Sequence, residues 1–260
     1  MNTCVGIKDT VGAPFRQFAP GDMPACKSSR IALIIPVRNE VSSLATVLSR
    51  VPALVTQVIV VDNGSTDGTA AVARLHGAEV VFEPTLGYGR ACLAGIAHAS
   101  TSPPDIVAFA DGDGSDGIEN IGALLYPLIQ GSVDMALAWR IPASPKAISL
   151  QQQFGNWLAT RLIRFFWGHS YHDLGPMRAL TWQCLQRLHL TDRNFGWTVE
   201  MQIRALKTQI RIMELPLPYF LRVADQSKVS GSLSGVLKAG TKILWVIVRE
   251  LVNRDRGYAR

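Results

Sequence analysis

The chain is predicted to be an α/β protein, with a mostly parallel central sheet flanked by helices and a more helical C-terminal portion. Runs 31–36, 57–62, 79–82, 106–111 and 133–138 are short and rich in Val, Ile and Ala, as strands buried on both faces are. Between them, 40–50, 67–76, 89–99 and 118–129 place apolar residues near helical spacing behind acidic or glycine-containing starts. Strand and helix alternate, which is the sequence form of a parallel sheet joined by right-handed crossovers.

Taken in order, the first strand is followed by Arg38-Asn39-Glu40, the second ends in Asp62-Asn63-Gly64-Ser65-Thr66-Asp67, and the fourth runs into the polar stretch Asp111 to Asp116. Right-handed crossovers align all strand C-termini along one edge, so these three clusters converge on one crevice, where open α/β sheets bind ligands. Asp67 is placed to cap the helix that follows it. After residue 138 the pattern changes to a Trp- and Arg-containing helix at 154–167, the segment 173–180, a helix at 198–207, a strand at 209–215 and a last helix from 233. The organisation expected is a mobile leader over 1–29, one main domain over 30–232, and an amphipathic helix with a basic tail over 233–260.

Composition narrows the partner. With 260 residues, 48% hydrophobic and 18% charged, the chain has the make-up of a folded single domain and not of a disordered one. A net charge of +6 favours an anionic partner without choosing among nucleotides, phospholipid surfaces and nucleic acids. Cys4, Cys26, Cys92 and Cys184 are scattered with no C-x-x-C pair, which fits a reducing compartment. The best membrane-spanning candidate, 236–252, is broken by Lys238, Lys242, Arg249 and Glu250, so a cytoplasmic protein is expected.

Asp111-Gly-Asp113 puts two carboxylates on a chain leaving a strand, with Gly112 and Gly114 leaving room for a diphosphate. Hard oxygen ligands suit Mg2+ or Mn2+. A calcium loop is excluded, because 116 is not Gly and 122 is not Glu. Asp62 is a strand-end carboxylate able to accept hydrogen bonds from a base or ribose. Arg222 and Lys228 are cations in a turn-rich loop, suited to a diphosphate leaving group. Gly87-Tyr88-Gly89-Arg90 lacks the third glycine of a dinucleotide fingerprint and reads as a tight turn before a helix. The helix 154–167 sets Arg161 and Arg164 among Trp and Phe residues, a pattern shared by interfacial helices on anionic lipid and by buried core.

Together, Pro36-Val-Arg-Asn-Glu40, Val61-Asp-Asn-Gly-Ser-Thr-Asp-Gly-Thr69, Asp111-Gly-Asp113 and the Arg222 to Lys228 stretch resemble a family 2 inverting glycosyltransferase. Asp173-Leu-Gly-Pro-Met-Arg178 and Ser227-Lys228 are most similar to the branch of polyprenyl-phosphate sugar transferases that includes dolichyl-phosphate mannose synthase. The resemblance implies a GT-A fold whose C-terminal portion serves the acceptor. Pro36, Arg38 and Glu40 would border the nucleotide, and Asp62 would contact base or ribose. Asp111, Asp113 and Ser115 would gather at the metal, while Arg140, Arg222 and Lys228 would face phosphates. The implied partners are a nucleoside-diphosphate sugar, a lipid-phosphate or small-molecule acceptor, and a membrane surface met peripherally; no nucleic acid is expected. The sequence departs from the family pattern at Arg38, often aromatic, at Asn63, often a second acid, and at Ser115, often glutamine.

An ionised phosphate acceptor needs no base, whereas a hydroxyl acceptor would need a carboxylate within reach. Glu200 is the candidate base and Asp173 the second. Two rival readings are a sugar nucleotidyltransferase and a non-catalytic peripheral membrane protein of the same fold. The first lacks a glycine-rich triphosphate loop after the first strand, and the second is disfavoured by intact Asp111 and Asp113.

Overall fold

A computed structural model describes residues 29–223 and 233–253, with side chains from 240 onward in the second stretch. Strand β1 (Ile31–Val37), helix α1 (Val41–Ser49), β2 (Gln57–Asp62), α2 (Thr69–Leu75), β3 (Glu79–Phe82), α3 (Tyr88–Ala99) and β4 (Ile106–Phe109) alternate as the sequence predicts. A 3-10 turn, Ile118–Asn120, leads into α4 (Gly122–Ile129) and β5 (Met135–Pro142). Then come α5 (Leu150–Trp167), β6 (Arg178–Thr181), α6 (Trp182–Leu188), α7 (Trp197–Lys207), β7 (Ile212–Tyr219) and α8 (Leu233–Val252).

The seven strands form one sheet in the order β3-β2-β1-β4-β6-β5-β7. Only β6 is antiparallel to its neighbours, β4 and β5. Both faces of the sheet are covered, and β1 shows how. Ala32 and Ile34 pack toward Phe109, Met135 and Trp197 on one face. Ile31, Leu33, Ile35 and Val37 pack toward Leu44, Leu124 and Leu125 on the other. The period of two is that of a strand, and the absence of a polar face is that of a buried parallel sheet.

Three elements differ from expectation. The segment 173–180 contributes β6, but pairing starts only at Arg178, past Gly175 and Pro176. Strand β7 begins later than 209–215 and continues through Pro216 and Pro218. Those prolines are two apart and β7 is the sheet edge, so both ring nitrogens fall on the side that needs no ladder donor. Helix α6 had no counterpart in the sequence reading. Helix α8 lies against α5 and α7, where Val246 and Ile247 are buried.

Candidate active site

A cleft of about 350 Å3 opens beyond the C-terminal ends of β1 and β4. This is the switch point of the sheet, because β2 and β3 lie on one side of β1 and β4 on the other. Of the residues singled out in the sequence, Pro36, Arg38, Glu40, Asp111, Asp113 and Arg222 line it. The lining also includes Asn63, Tyr88, Asn194 and Phe195.

The Asp111 to Asp116 stretch is a tightly organised turn. Asp116 Oδ2 accepts from the Asp111 N–H at 2.8 Å. Asp113 Oδ1 accepts from the Ser115 N–H at 2.9 Å and from its hydroxyl at 2.6 Å. Asp113 Oδ2 meets Arg222 Nε at 3.1 Å, and the Val223 N–H donates to the Asp113 carbonyl at 3.1 Å. A Cβ on Gly112 would press on Val37, and Gly114 sits at φ 80° against Val223, so both glycines are required where they stand. Ser115 is fully buried and directs its hydroxyl at Asp113.

Asp111 Oδ1 is buried with no close hydrogen bond, and the buried Tyr88 hydroxyl is the side-chain donor that faces its carboxylate. Burial first, and the charge of Asp113 second, push its carboxyl up to about 7. Burial and the Asp111 charge likewise raise Asp116 well above the ordinary carboxylate range. A buried carboxylate held beside a second carboxylate fits a divalent cation, whose charge would offset both the burial and the repulsion. No group of three or more His, Cys, Asp or Glu side chains is poised to cage a metal among the described residues. Asp111 and Asp113 are the two carboxylates here that could hold a divalent cation, which favours hard oxygen donors.

These shifts predict an unusual pH dependence. A carboxyl raised in the folded state binds more protons folded than unfolded between its two pKa values, so stability falls as pH rises through that window. The metal-free protein is expected to lose up to a few kcal/mol between about pH 4 and pH 7. Depressed carboxyls such as Asp134 and Glu250 gain their stability below that window. Thermal melts across this range, with and without Mn2+, check it; a flat metal-free profile would contradict the assignment.

The other predicted residues sit as follows. Asp62, at the end of β2, accepts from the Ser65 N–H at 2.8 Å and does not line the cleft. Its neighbour Asn63 does, and it pins the next loop through bonds to the Glu83 and Thr85 carbonyls and from the Gly87 N–H. Asp67 accepts from the Thr69 N–H at 3.0 Å, at the start of α2. Arg140 and Asp173 form a bidentate pair at 2.6 and 2.8 Å, both largely buried, and neither lines the cleft. Glu200 is fully buried on α7, away from the cleft lining, and binds Arg204, Arg249 and the Thr191 and Asp192 N–H groups. Lys228 lies outside the described residues.

Sequence reasoning missed Tyr88, Asn194 and Phe195. Tyr88 opens α3 within the Gly-Tyr-Gly run, and its buried hydroxyl faces the Asp111 carboxylate. Gly87 has φ 152°, and a Cβ on Gly87 or Gly89 would collide with the carbonyls of Arg193 and Asp192. The glycines thus let α3 press against the loop carrying Asn194 and Phe195. Gly89→Ala is expected to cost about 1–3 kcal/mol and to displace that loop from the cleft. Thermal melting of the variant, with amide exchange read over 192–195, checks both effects. Asn194 and Phe195 gave no local signal, because only the packing of that loop on α3 brings them to the cleft.

Comparison with known proteins agrees with this geometry. The family model for Glycosyl transferase family 2 matches residues 32–183, more than half of the chain, and the chain belongs to that family. It is a glycosyltransferase. It is 37% identical to an uncharacterized glycosyltransferase of Mycobacterium tuberculosis over 209 residues, 80% of this chain and 94% of the relative. It is 28% identical to the polyprenol monophosphomannose synthase of Mycolicibacterium smegmatis, covering 94% of this chain and 98% of the relative. It is also 28% identical to the undecaprenyl-phosphate mannosyltransferase of Micrococcus luteus, covering 79% and 90%. In fold it matches glucosyl-3-phosphoglycerate synthase from Mycobacterium tuberculosis, solved with Mn2+, uridine diphosphate and glucosyl-3-phosphoglycerate. The TM-score is 0.68 at 18% identity, over 86% of this chain and 80% of that one.

Proposed function

We propose that the chain is a metal-dependent, inverting hexosyltransferase that moves a sugar from a nucleoside diphosphate to a polyprenyl phosphate at the cytoplasmic face of a membrane. The observation that carries the proposal is the cleft in which the buried Asp111 stands beside Asp113, itself paired with Arg222. Asp111 and Asp113 would hold Mg2+ or Mn2+, which when bound supplies charge to the departing diphosphate. Arg222 adds a guanidinium on the same side, and Ser115 orients the Asp113 carboxylate that both require. Pro36, Arg38 and Glu40, which line the cleft together with Asn63 and Tyr88, would border the nucleotide.

The acceptor phosphate is already ionised and attacks the anomeric carbon from the face away from the leaving group, which inverts configuration. Support for a phosphate acceptor comes from the fate of the two candidate bases. Glu200 is committed to arginines, and Asp173 to Arg140. Neither is placed to serve a hydroxyl acceptor, and the cleft carboxylates nearest the diphosphate, Asp111 and Asp113, are those proposed for the metal. The names of the polyprenol and undecaprenyl-phosphate relatives point the same way.

The test is nucleoside-diphosphate release from a panel of UDP- and GDP-sugars with Mg2+ or Mn2+, with and without polyprenyl phosphate. Metal-dependent release that requires the lipid phosphate, giving product of inverted anomeric configuration, is the expected result. Turnover with a simple sugar alcohol in place of the phosphate would overturn the acceptor class.

A further inference from the structure

Helices α5 and α8 pack on one another, and both turn apolar side chains to the outside. On α5, Leu150, Phe154, Trp157, Arg161 and Phe165 recur every three or four residues and are all exposed, Phe154 at 63% and Phe165 at 80%. At about 100° per residue they share one stripe. On α8, Leu244, Trp245, Val248 and Val252 make a second exposed stripe, on the side away from the buried Val246 and Ile247. A surface helix ordinarily turns polar residues outward. These two helices carry eight of the seventeen exposed large apolar side chains among the described residues, so the apolar surface is concentrated and not scattered.

The charges around these stripes are of one sign. Helix α5 contains no Asp or Glu, and the one acid of α8, Glu250, is buried against Arg204 and Lys207. Arg161 lies over the Trp157 ring at 5.8 Å and Lys242 over Trp245 at 4.2 Å. Arg164 is exposed beside Phe165, and among the described residues neither Arg161 nor Arg164 pairs with a carboxylate. None of the segments outside the described residues has a net negative charge: 1–28 sets Lys8, Arg16 and Lys27 against Asp9 and Asp22, 224–232 sets Lys228 against Asp225, and 254–260 holds three Arg and one Asp.

We propose that the face formed by α5 and α8 docks on an anionic phospholipid surface. Phe154, Trp157, Phe165 and Trp245 sit at headgroup level, with Arg161 and Arg164 among the lipid phosphates. No helix among the described residues is long and apolar enough to cross a membrane, so the contact is peripheral. The face is also tied to the cleft. Lys242 and Arg249 of α8 reach Asp192 and Glu200, which hold the loop that carries Asn194 and Phe195. The purpose of the docking rests on the proposed lipid-phosphate acceptor, and the test is built so that the two can fail apart.

The full chain is floated with vesicles of phosphatidylcholine alone and of phosphatidylcholine mixed with phosphatidylglycerol, both free of polyprenyl phosphate. Binding to the mixed vesicles only, weakened by salt, is expected. Arg161→Gln with Arg164→Gln should lower that binding about 30-fold, and Phe154→Ser with Phe165→Ser about tenfold or more. Metal-dependent UDP or GDP binding, measured without vesicles, should stay unchanged in both variants. Equal binding to neutral vesicles, or binding indifferent to these substitutions, overturns the proposal. So does a dimer in solution that Phe154→Ser with Phe165→Ser splits, because a second copy would then cover the face. Normal flotation with no nucleotide binding leaves docking standing and sinks the transferase chemistry instead.

Discussion

Asp113→Asn is expected to lower nucleoside-diphosphate release by about a thousandfold while leaving the fold intact, since losing a preorganised charge at a leaving group costs about 3–4 kcal/mol or more. The substitution keeps the shape of the side chain and its bonds from Ser115 but removes one of two charges available to a metal. It also takes away the anion facing Arg222. In the metal-free protein the effect on stability runs the other way, because the Asp113 charge is one of the causes that hold Asp111 up near 7. The metal-free thermal midpoint should therefore be kept or raised. Titration with Mn2+ and single-turnover release, run beside a melt, separate these outcomes. Wild-type release with unchanged metal dependence would falsify the two-carboxylate site.

Glu200→Ala, by contrast, should behave as a stability variant. The Glu200 side chain has no solvent exposure and accepts from two backbone N–H groups, the Thr191 hydroxyl, Arg204 and Arg249. Removing one partner from such a cluster leaves buried guanidinium charge uncompensated, at a cost of about 3–5 kcal/mol. For a domain of this size that is a fall of about 10 °C in the melting midpoint. The same cluster joins α7 to α8 and to the loop beside the cleft, so α8 should loosen in the variant, visible as faster amide exchange in its buried half. Turnover per folded molecule with a phosphate acceptor should remain. A variant that melts like wild type but loses turnover only with hydroxyl acceptors would restore Glu200 as a base.

The two residues show where sequence reading carried and where it stopped. Asp113 was legible because the alternation of strands and helices sends polar strand ends to one edge, and two acids split by glycine at such an end have few structural uses. The same logic brought Arg38 and Glu40 to the cleft but also pointed to Asp62, which does not line it, while Pro36 and Arg222 were legible through the family resemblance. Glu200 looked equally available in the sequence, as an acid in the first turn of a helix. Nothing local announced that Arg204 four residues on, and Arg249 far along the chain, would close over it. Asp173 and Arg140 are a similar case, thirty-three residues apart and joined only by the pairing of β5 with β6.

By itself the sequence determined the α/β class, the four parallel strands from β1 to β4, the family, and the acidic turn at the end of β4. Each of these is written in local periodicity or in a contiguous motif, so neighbours along the chain carry it. Tertiary structure alone decided that β6 enters antiparallel between β4 and β5, that Asn194 and Phe195 reach the cleft, and that α8 locks onto α7 through buried charge. Those outcomes depend on which distant surfaces bury one another. Burial also decides whether a carboxylate meets solvent, a metal or an arginine, and no spacing in the chain encodes that choice.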